Sequence, residues 1–127
     1  MLRGMSASEV VDRFIAAIER RDIDAAIELL HPDVEYDNVP IGPVHGREAV
    51  RSILGPIAGR SEEVLWPVAR SAEAGAVVFN ERLDRFRSGD RWIEIAVAGV
   101  WEVHDGLITL WRDYFDLETY RKQQQQS

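Results

Sequence analysis

With 127 residues, 46% of them hydrophobic, the chain has the length of one domain with a single core. Fifteen basic and 22 acidic residues give a net charge of −7, which argues against nucleic acid or an anionic membrane as a partner, because both require clustered positive charge. Cysteine is absent, which excludes disulfides, thiolate metal sites and a cysteine nucleophile. With no apolar run of membrane-spanning or signal-peptide type, we expect a cytoplasmic protein.

The N-terminal quarter of the chain is predicted to form two helices. Ser6 and Glu9 match a capping box, in which the hydroxyl accepts from the third helical amide and the carboxylate reaches back. Apolar residues then recur at helical spacing. Asp22 or Asp24 is expected to cap the second helix, and Pro32 to end it, because the residue before a proline avoids the α region.

The middle of the chain changes from helical to extended patterning. Residues 33–38 predict a short strand, the proline- and glycine-rich stretch 40–46 a loop, and residues 47–58 a third helix. Four further strands are predicted, at residues 62–72, 75–87, 91–103 and 107–115. Helices followed by an antiparallel meander indicate an α+β fold, in which helices pack on one side of a curved sheet and enclose a cavity.

The C-terminal end is predicted to close with a short helix. Asp116 is expected to cap it, and the helix to extend through Tyr120. The glutamine-rich tail, residues 121–127, is expected to be frayed. No repeat or linker divides the sequence, so residues 1–127 are interpreted as one domain.

Polar residues in the second of the four strands are predicted to point inward. Alternation along the strand places Asn80, Arg82 and Asp84 on one face. A two-residue loop at the first hairpin turn would pair Arg87 with Asp90. In that register the three polar side chains lie opposite apolar residues of the next strand, so the shared face is expected to be interior.

The second hairpin turn decides whether another carboxylate joins this face. Gly106 suits the left-handed position of a three-residue loop that pairs Val103 with Leu107, and this register brings Asp113 to the same face. A slip of one residue at either turn would reverse the side chains. The two aspartates would be separated by roughly 10 Å on a flat sheet. Coupling between them therefore requires strong curl of the sheet, or Arg82 reaching between them.

Such a group of buried charges has two interpretations. It is either a structural ion pair or a pair of carboxyls with unequal proton affinity, suited to acid–base attack by water. Tyr36 and Asn38 share a strand face and could orient that water, or could be a half-buried phenol and a turn-flanking amide. The histidines His31, His45 and His104 lack metal-ligand spacing and are predicted to have local roles.

The motifs resemble those of the limonene-1,2-epoxide hydrolases, within the NTF2-like, SnoaL-like superfamily. The residues concerned are Glu-Arg-Leu-Asp at 81–84 and Trp-Arg-Asp-Tyr-Phe-Asp at 111–116, with Tyr36-Asp37-Asn38 upstream. The resemblance covers nearly the whole chain. It implies an NTF2-like cone, in which N-terminal helices pack on the concave face of a strongly curved mixed β-sheet and enclose a pocket.

The resemblance also implies a reaction and a role for each matching residue. Water would add in one step to a small cyclic or terpenoid epoxide, giving a vicinal diol without a covalent intermediate. Asp113 would be the general base on a water that Tyr36 and Asn38 also hold, Asp84 the general acid, and Arg82 the bridge between the carboxylates. No cofactor or metal is expected, and the family implies a homodimer.

The face assignment further predicts an apolar, substrate-binding lining. Its members are expected to be Ile57, Trp66, Phe86, Ile95, Val97 and Phe115. Two alternatives stay open on the same scaffold: an isomerase or polyketide cyclase of the ketosteroid-isomerase type, and a non-catalytic ligand-binding protein. The isomerase would need a base beside a carbonyl and an oxyanion donor, and has no requirement for the Arg82–Asp84 pair.

Overall fold

The computed structural model describes residues 4–125, which form four helices packed on one seven-stranded sheet. The helices are α1 (Ala7–Glu19), α2 (Ile23–Glu28), α3 (Arg47–Arg60) and α4 (Leu117–Gln125). The strands are β1 (Leu30–Asn38), β2 (Gly42–His45), β3 (Glu63–Leu65), β4 (Val68–Ala74), β5 (Val77–Ser88), β6 (Arg91–His104) and β7 (Leu107–Tyr114). None of these helices is both long enough and apolar enough to cross a membrane.

The sheet is mixed, as expected for the NTF2-like fold. Its strand order is β2-β1-β7-β6-β5-β3, and β4 also pairs with β5. β1 runs parallel to β7, while β5, β6 and β7 form the predicted antiparallel meander. The parallel pairing places Tyr36 and Asn38, at the end of β1, beside β7. The α+β class is therefore confirmed.

Helix α1 closes the concave face of the sheet. The predicted capping box is present: the Ser6 hydroxyl accepts from the Glu9 amide, and the Glu9 carboxylate accepts from the Ser6 amide. Phe14 is fully buried from the apolar side of the helix and packs edge-on against Trp101 and Trp111. The core thus lies between α1 and the inner side of β6 and β7.

The end of α2 differs from the prediction. The helix ends at Glu28, and the strand β1 has already begun at Leu30, so Pro32 lies within a strand and does not terminate the helix. The pairing of β1 with β7 shifts between Leu30 and Glu35. Proline has no amide hydrogen to donate to the ladder, so it is tolerated at such an irregularity.

Three other predicted boundaries also differ from the structure. The loop expected before α3 contains the short strand β2, which pairs with β1. The single strand expected at 62–72 is divided into β3 and β4, and Pro67, which lacks an amide hydrogen, lies at the break. Helix α3 continues past Pro56 and ends at Arg60.

The C-terminal helix is longer and better anchored than the sequence predicts. Asp116 caps it as expected, but α4 continues to Gln125, so the expectation of a frayed tail from residue 121 is wrong over this stretch. The side-chain amide of Gln123 pairs with both the backbone N–H and the C=O of Glu94, on a part of β6 that β7 does not reach. The last two residues of the tail lie outside the described range.

Candidate active site

The hairpin between β5 and β6 brings the predicted polar residues to the inner face. The predicted pairing of Arg87 with Asp90 is wrong, because Arg87 pairs with Trp92 across a turn displaced by one residue. The register therefore differs from the predicted one by two residues, and each side chain stays on the face of the sheet that was predicted for it. Asp84 consequently lies opposite Ile95, on an apolar surface, as the alternation argument requires.

The hairpin between β6 and β7 also places Asp113 on the predicted face, but in a register that differs from the predicted one. Leu107 pairs with His104, not with Val103, and this tighter turn alone would have sent Asp113 to the outer face. A register shift follows immediately, leaving Thr109 as an extra residue on β7. The bulge returns the following side chains of β7 to their predicted faces, and Asp113 is therefore buried on the inner face.

Arg82 connects the two carboxylates through the interior. Its Nε donates to Asp84 Oδ1 at 2.8 Å, and its Nη2 donates to Asp84 Oδ2 at 2.9 Å and to Asp113 Oδ2 at 2.8 Å. Its Nη1 donates to Asn80 Oδ1 at 3.2 Å. The Arg82 side chain has no exposed surface, and the guanidinium therefore spans from β5 to β7 beneath the intervening strand β6.

Gly99 on β6 provides the space for this crossing. Its φ angle is ordinary, so conformational freedom is not the reason for glycine here. A Cβ atom at this position would lie 2.5 Å from Arg82 Nη1 and 2.8 Å from Asn80 Oδ1. Only a residue without a side chain leaves room for the guanidinium to reach Asp113.

Replacing Gly99 with alanine should therefore destabilise the fold. We expect Gly99→Ala to lower the free energy of unfolding by about 1–3 kcal/mol, as other overpacked cores do. Gly55→Ala is the matched control, because nothing lies within 4 Å of the added methyl group and the residue is inside helix α3. Urea unfolding of both variants measures the difference. Equal stability of the two would contradict the steric role of Gly99.

Burial increases the proton affinity of the Asp84 carboxyl. Removal from water raises the pKa of Asp84 to about 6; the Arg82 guanidinium opposes this increase, and the charge of Asp113 adds to it. Burial also works against the charge on Arg82, but the two carboxylates outweigh it and raise the pKa of Arg82 above its ordinary value. The guanidinium stays charged, and Asp84 is a carboxyl that can hold a proton near neutral pH.

The parallel strand β1 places Tyr36 and Asn38 beside the second carboxylate. Asn38 is the Cα partner of Asp113, and Tyr36 is the partner of Trp111, on whose ring it stacks at a centroid distance of 4.0 Å. Burial, followed by the negative charge of Asp113, raises the pKa of the Tyr36 phenol well above its ordinary value. The phenol is therefore neutral and can donate a hydrogen bond.

These groups lie at the closed end of a cavity of about 370 Å³. Asp84, Asp113, Tyr36 and Asn38 all line it, whereas Arg82 lies behind the two carboxylates. The six residues expected in the apolar lining are all present in its wall: Ile57, Trp66, Phe86, Ile95, Val97 and Phe115. A ligand in this cavity would face two carboxyls, a phenol and an amide at one end and an apolar surface elsewhere.

Other residues of the site were not identified from the sequence. Trp111 donates its indole N–H to Asp113 Oδ1 at 2.9 Å, and Trp101 donates to Asn80 Oδ1 at 3.1 Å. Neither tryptophan was predicted to contact a residue of the site. A signal was available, since alternation along each strand places Trp111 on the face of Asp113 and Trp101 on the face of Val97. The lining residues not predicted are Ile41, Ile53, Leu54 and Ile93, together with a polar rim.

The histidines lie outside this constellation. His31 accepts a hydrogen bond from the backbone of Asp33, and His45 lies beside Glu35. His104, in the β6–β7 turn region, lies beside a glutamate of its own strand. The described residues contain no group of three or more His, Cys, Asp or Glu side chains arranged to hold a metal ion.

Comparison with known proteins assigns the chain to a family. The model of the limonene-1,2-epoxide hydrolase catalytic domain matches residues 5–126. The epoxide hydrolase EphG of Mycobacterium tuberculosis is 37% identical over 108 residues, which are 84% of this chain and 71% of that protein. An LEH-like epoxide hydrolase structure from M. tuberculosis matches with a TM-score of 0.81 at 34% identity, over 92% of this chain and 87% of that chain.

A more distant structure shares the fold alone. An NTF2-like protein of unknown function from Cytophaga hutchinsonii superposes with a TM-score of 0.77 at 21% identity. The match covers 93% of this chain and 96% of that chain. The cone-shaped architecture is therefore the NTF2-like one.

Proposed function

The chain belongs to the limonene-1,2-epoxide hydrolase family, and we propose that it adds water to an apolar cyclic or terpenoid epoxide in one step, giving a vicinal diol. One observation carries the proposal: a single guanidinium joins two buried carboxylates at the closed end of an apolar cavity. Epoxides are reactive through ring strain, so a proton on the leaving oxygen and a deprotonated water are sufficient. The cavity offers both functions without a protein nucleophile.

In the proposed reaction Asp113 accepts a proton from the attacking water. That water would also be held by the Tyr36 phenol and the Asn38 amide, which flank Asp113. The water oxygen bonds to one epoxide carbon while the C–O bond of that carbon breaks. Asp84 gives its proton to the departing oxygen, so both hydroxyl groups of the diol form in one step.

The Arg82 bridge supports this division of roles. Two carboxylates near one another resist joint ionisation, so one of them tends to keep a proton. Burial favours the protonated form of Asp84. Because Arg82 hydrogen-bonds both groups, the proton gained by one carboxyl and lost by the other can be redistributed after each turnover without a change in the net charge of the site.

A single-turnover experiment in oxygen-18 water tests this proposal. Enzyme in excess over cyclohexene oxide or limonene oxide should release a diol that carries one labelled oxygen from the first turnover. An enzyme ester would instead pass an unlabelled carboxylate oxygen to the first diol. Absence of diol from every member of a panel of cyclic and terpenoid epoxides would favour the isomerase, the cyclase or the binding protein.

The pH dependence of the rate should report the acid. Asp84 must be protonated to act, and the pKa of its carboxyl is about 6, so kcat/KM is expected to fall as the pH rises through about 6. Tyr36→Phe should leave this alkaline limb in place, because the phenol does not ionise in that range. A profile that stays flat up to about pH 9 would contradict the assignment of Asp84 as the acid.

We also propose that the protein is a homodimer formed through the outer face of the sheet. Phe79, Leu83 and Tyr114 point outward there and remain 49%, 37% and 47% exposed. They converge through the register of β5, β6 and β7, with Ala98 lying beside Tyr114 in the middle of the patch. Glu81 lies between Phe79 and Leu83 on the same face, so the patch combines large apolar side chains with a charged one, as interfaces between protein chains commonly do.

A charged substitution in this patch should separate the copies. Leu83→Glu is expected to shift the molar mass measured by light scattering from about twice that of the 14.4 kDa chain to that of one chain. Val39→Glu is the control, because Val39 is 41% exposed but lies in the turn after β1. A dimer that survives Leu83→Glu would place the interface elsewhere.

A further inference from the structure

The cavity separates its charges by sign. Its two acidic lining residues, Asp84 and Asp113, are 6% and 3% exposed and lie at the closed end. The basic lining residues are Arg60, Arg87 and Arg91, which are half-buried or exposed and lie at the mouth. The chain as a whole has a net charge of −7, so three guanidiniums around one opening make the charge at the mouth opposite in sign to that of the protein.

One of these arginines already has partners of opposite charge. Arg87 pairs with Glu62 at 3.3 Å and with Glu63 at 3.1 Å. Within residues 4–125, Arg60 and Arg91 form no ion pair with an acidic side chain. Arg91 donates to the backbone carbonyl of Gln123, in the helix that borders the mouth. Two guanidinium charges are therefore available at the opening.

The wall between the two ends of the cavity is apolar. Ile53 and Ile57 of α3, Phe86 of β5 and Ile93 of β6 are among its members. A ligand that fills the cavity must therefore have an apolar body. At the closed end an anionic group would be removed from water and would face the Asp113 carboxylate, whereas the guanidiniums at the exposed mouth attract it, so the two ends impose the same orientation on an amphiphile.

We propose that the substrate is an epoxide with an apolar body and a terminal carboxylate, which Arg60 and Arg91 bind at the mouth. This inference rests on the proposed function, since it names the substrate class of the same site. The planar guanidinium matches a carboxylate in geometry and offers paired N–H donors. The carboxylate stays at the solvent-exposed rim, and the epoxide reaches the two aspartates.

Binding of unreactive ligands tests the mouth independently of turnover. Calorimetry would compare unbranched carboxylates from hexanoate to dodecanoate with the corresponding neutral amides. We expect the best carboxylate to bind more tightly than its amide. Arg60→Gln and Arg91→Gln should each lower the affinity for the carboxylate by about three- to tenfold and leave the affinity for the amide unchanged. Arg13→Gln, an equal charge change on α1 at the groove beside α2, should leave both affinities unchanged.

Kinetics of a matched substrate pair then tests the same residues in catalysis. The ω-epoxy derivatives of these acids would be compared with their methyl esters. The acid should have the higher kcat/KM in the wild type, and the double variant Arg60→Gln/Arg91→Gln should remove the preference by raising KM for the acid only. If the substitutions merely loosened the helix at the mouth, acid and ester would be affected alike.

The possible failures are distinguishable. Equal affinity of carboxylate and amide, or a preference that survives the double variant, would overturn the carboxylate site whether or not diols form. A carboxylate preference in binding with no diol from any epoxide would retain the anionic mouth and overturn the proposed reaction. High salt should reduce the preference in the wild type, because the arginines are accessible to solvent.

Discussion

Asp113→Asn is expected to lower kcat/KM for diol formation by about 10³-fold or more while the protein remains folded. Asparagine has the shape of aspartate and keeps an oxygen that can accept the hydrogen bond of Trp111, although its NH2 group can no longer accept from Arg82. It is unable to take a proton from water. Chromatographic measurement of the diol and a thermal melt of each variant give the two readouts.

Asp37→Asn is the matched control for this prediction. Asp37 lies on β1 between Tyr36 and Asn38, and its carboxylate points to the other side of the sheet, where it accepts from Arg112 at 3.0 Å. Its substitution should change the rate little. An Asp113→Asn variant that kept more than a tenth of the wild-type rate, a barrier change below about 1.4 kcal/mol, would remove Asp113 from the mechanism.

Asp84→Asn should separate the acid from the base. The leaving oxygen of an unactivated epoxide needs a proton, so limonene oxide should react as poorly as with Asp113→Asn. Styrene oxide opens with positive charge stabilised on the benzylic carbon and depends less on protonation. We expect Asp84→Asn to recover part of its activity on styrene oxide, and Asp113→Asn to recover none. An identical substrate dependence in both variants would contradict the assigned roles.

The second large effect concerns stability and the Arg82 bridge. Arg82→Met should cost about 3–5 kcal/mol of unfolding free energy at pH 7.5, because it leaves two buried carboxylates without their common partner. Without the cation, the pKa of Asp84, which burial already raises, should rise further. Groups whose pKa is raised by folding favour the folded state at low pH and lose that contribution as the pH rises. The deficit relative to wild type should therefore shrink at pH 5.

Two comparisons complete this test. Arg112→Met removes an arginine from the ion pairs with Glu35 and Asp37 on the more exposed side of the sheet, and should cost no more than about 1 kcal/mol. Arg82→Met combined with Asp84→Asn and Asp113→Asn should regain much of the lost stability, because the uncompensated charges are gone. A small, pH-independent loss in Arg82→Met would contradict the buried-charge explanation.

Local chemistry alone determined several features of this protein. The Ser6–Glu9 capping box and the Asp116 cap require only neighbouring residues, and both form as predicted. Alternation along one strand placed Arg82 and Asp84 on the same face, since a period of two is a property of the strand itself. The same argument placed Tyr36 and Asn38 on one face of their strand. The resemblance of these short motifs then indicated the family, which the comparisons confirm.

Tertiary structure decided how separate strands meet. Asp113 shares a face with Asp84 because the bulge at Thr109 offsets a turn tighter than expected, and nothing in the local sequence required that bulge. The empty volume at Gly99, through which Arg82 crosses beneath β6, exists only once three strands are assembled. Helix α4 extends beyond its predicted end because the Gln123 side chain forms hydrogen bonds with the backbone of Glu94, which is distant in the sequence. Periodicity is encoded by near neighbours, whereas register and packing are selected by contacts between residues distant along the chain.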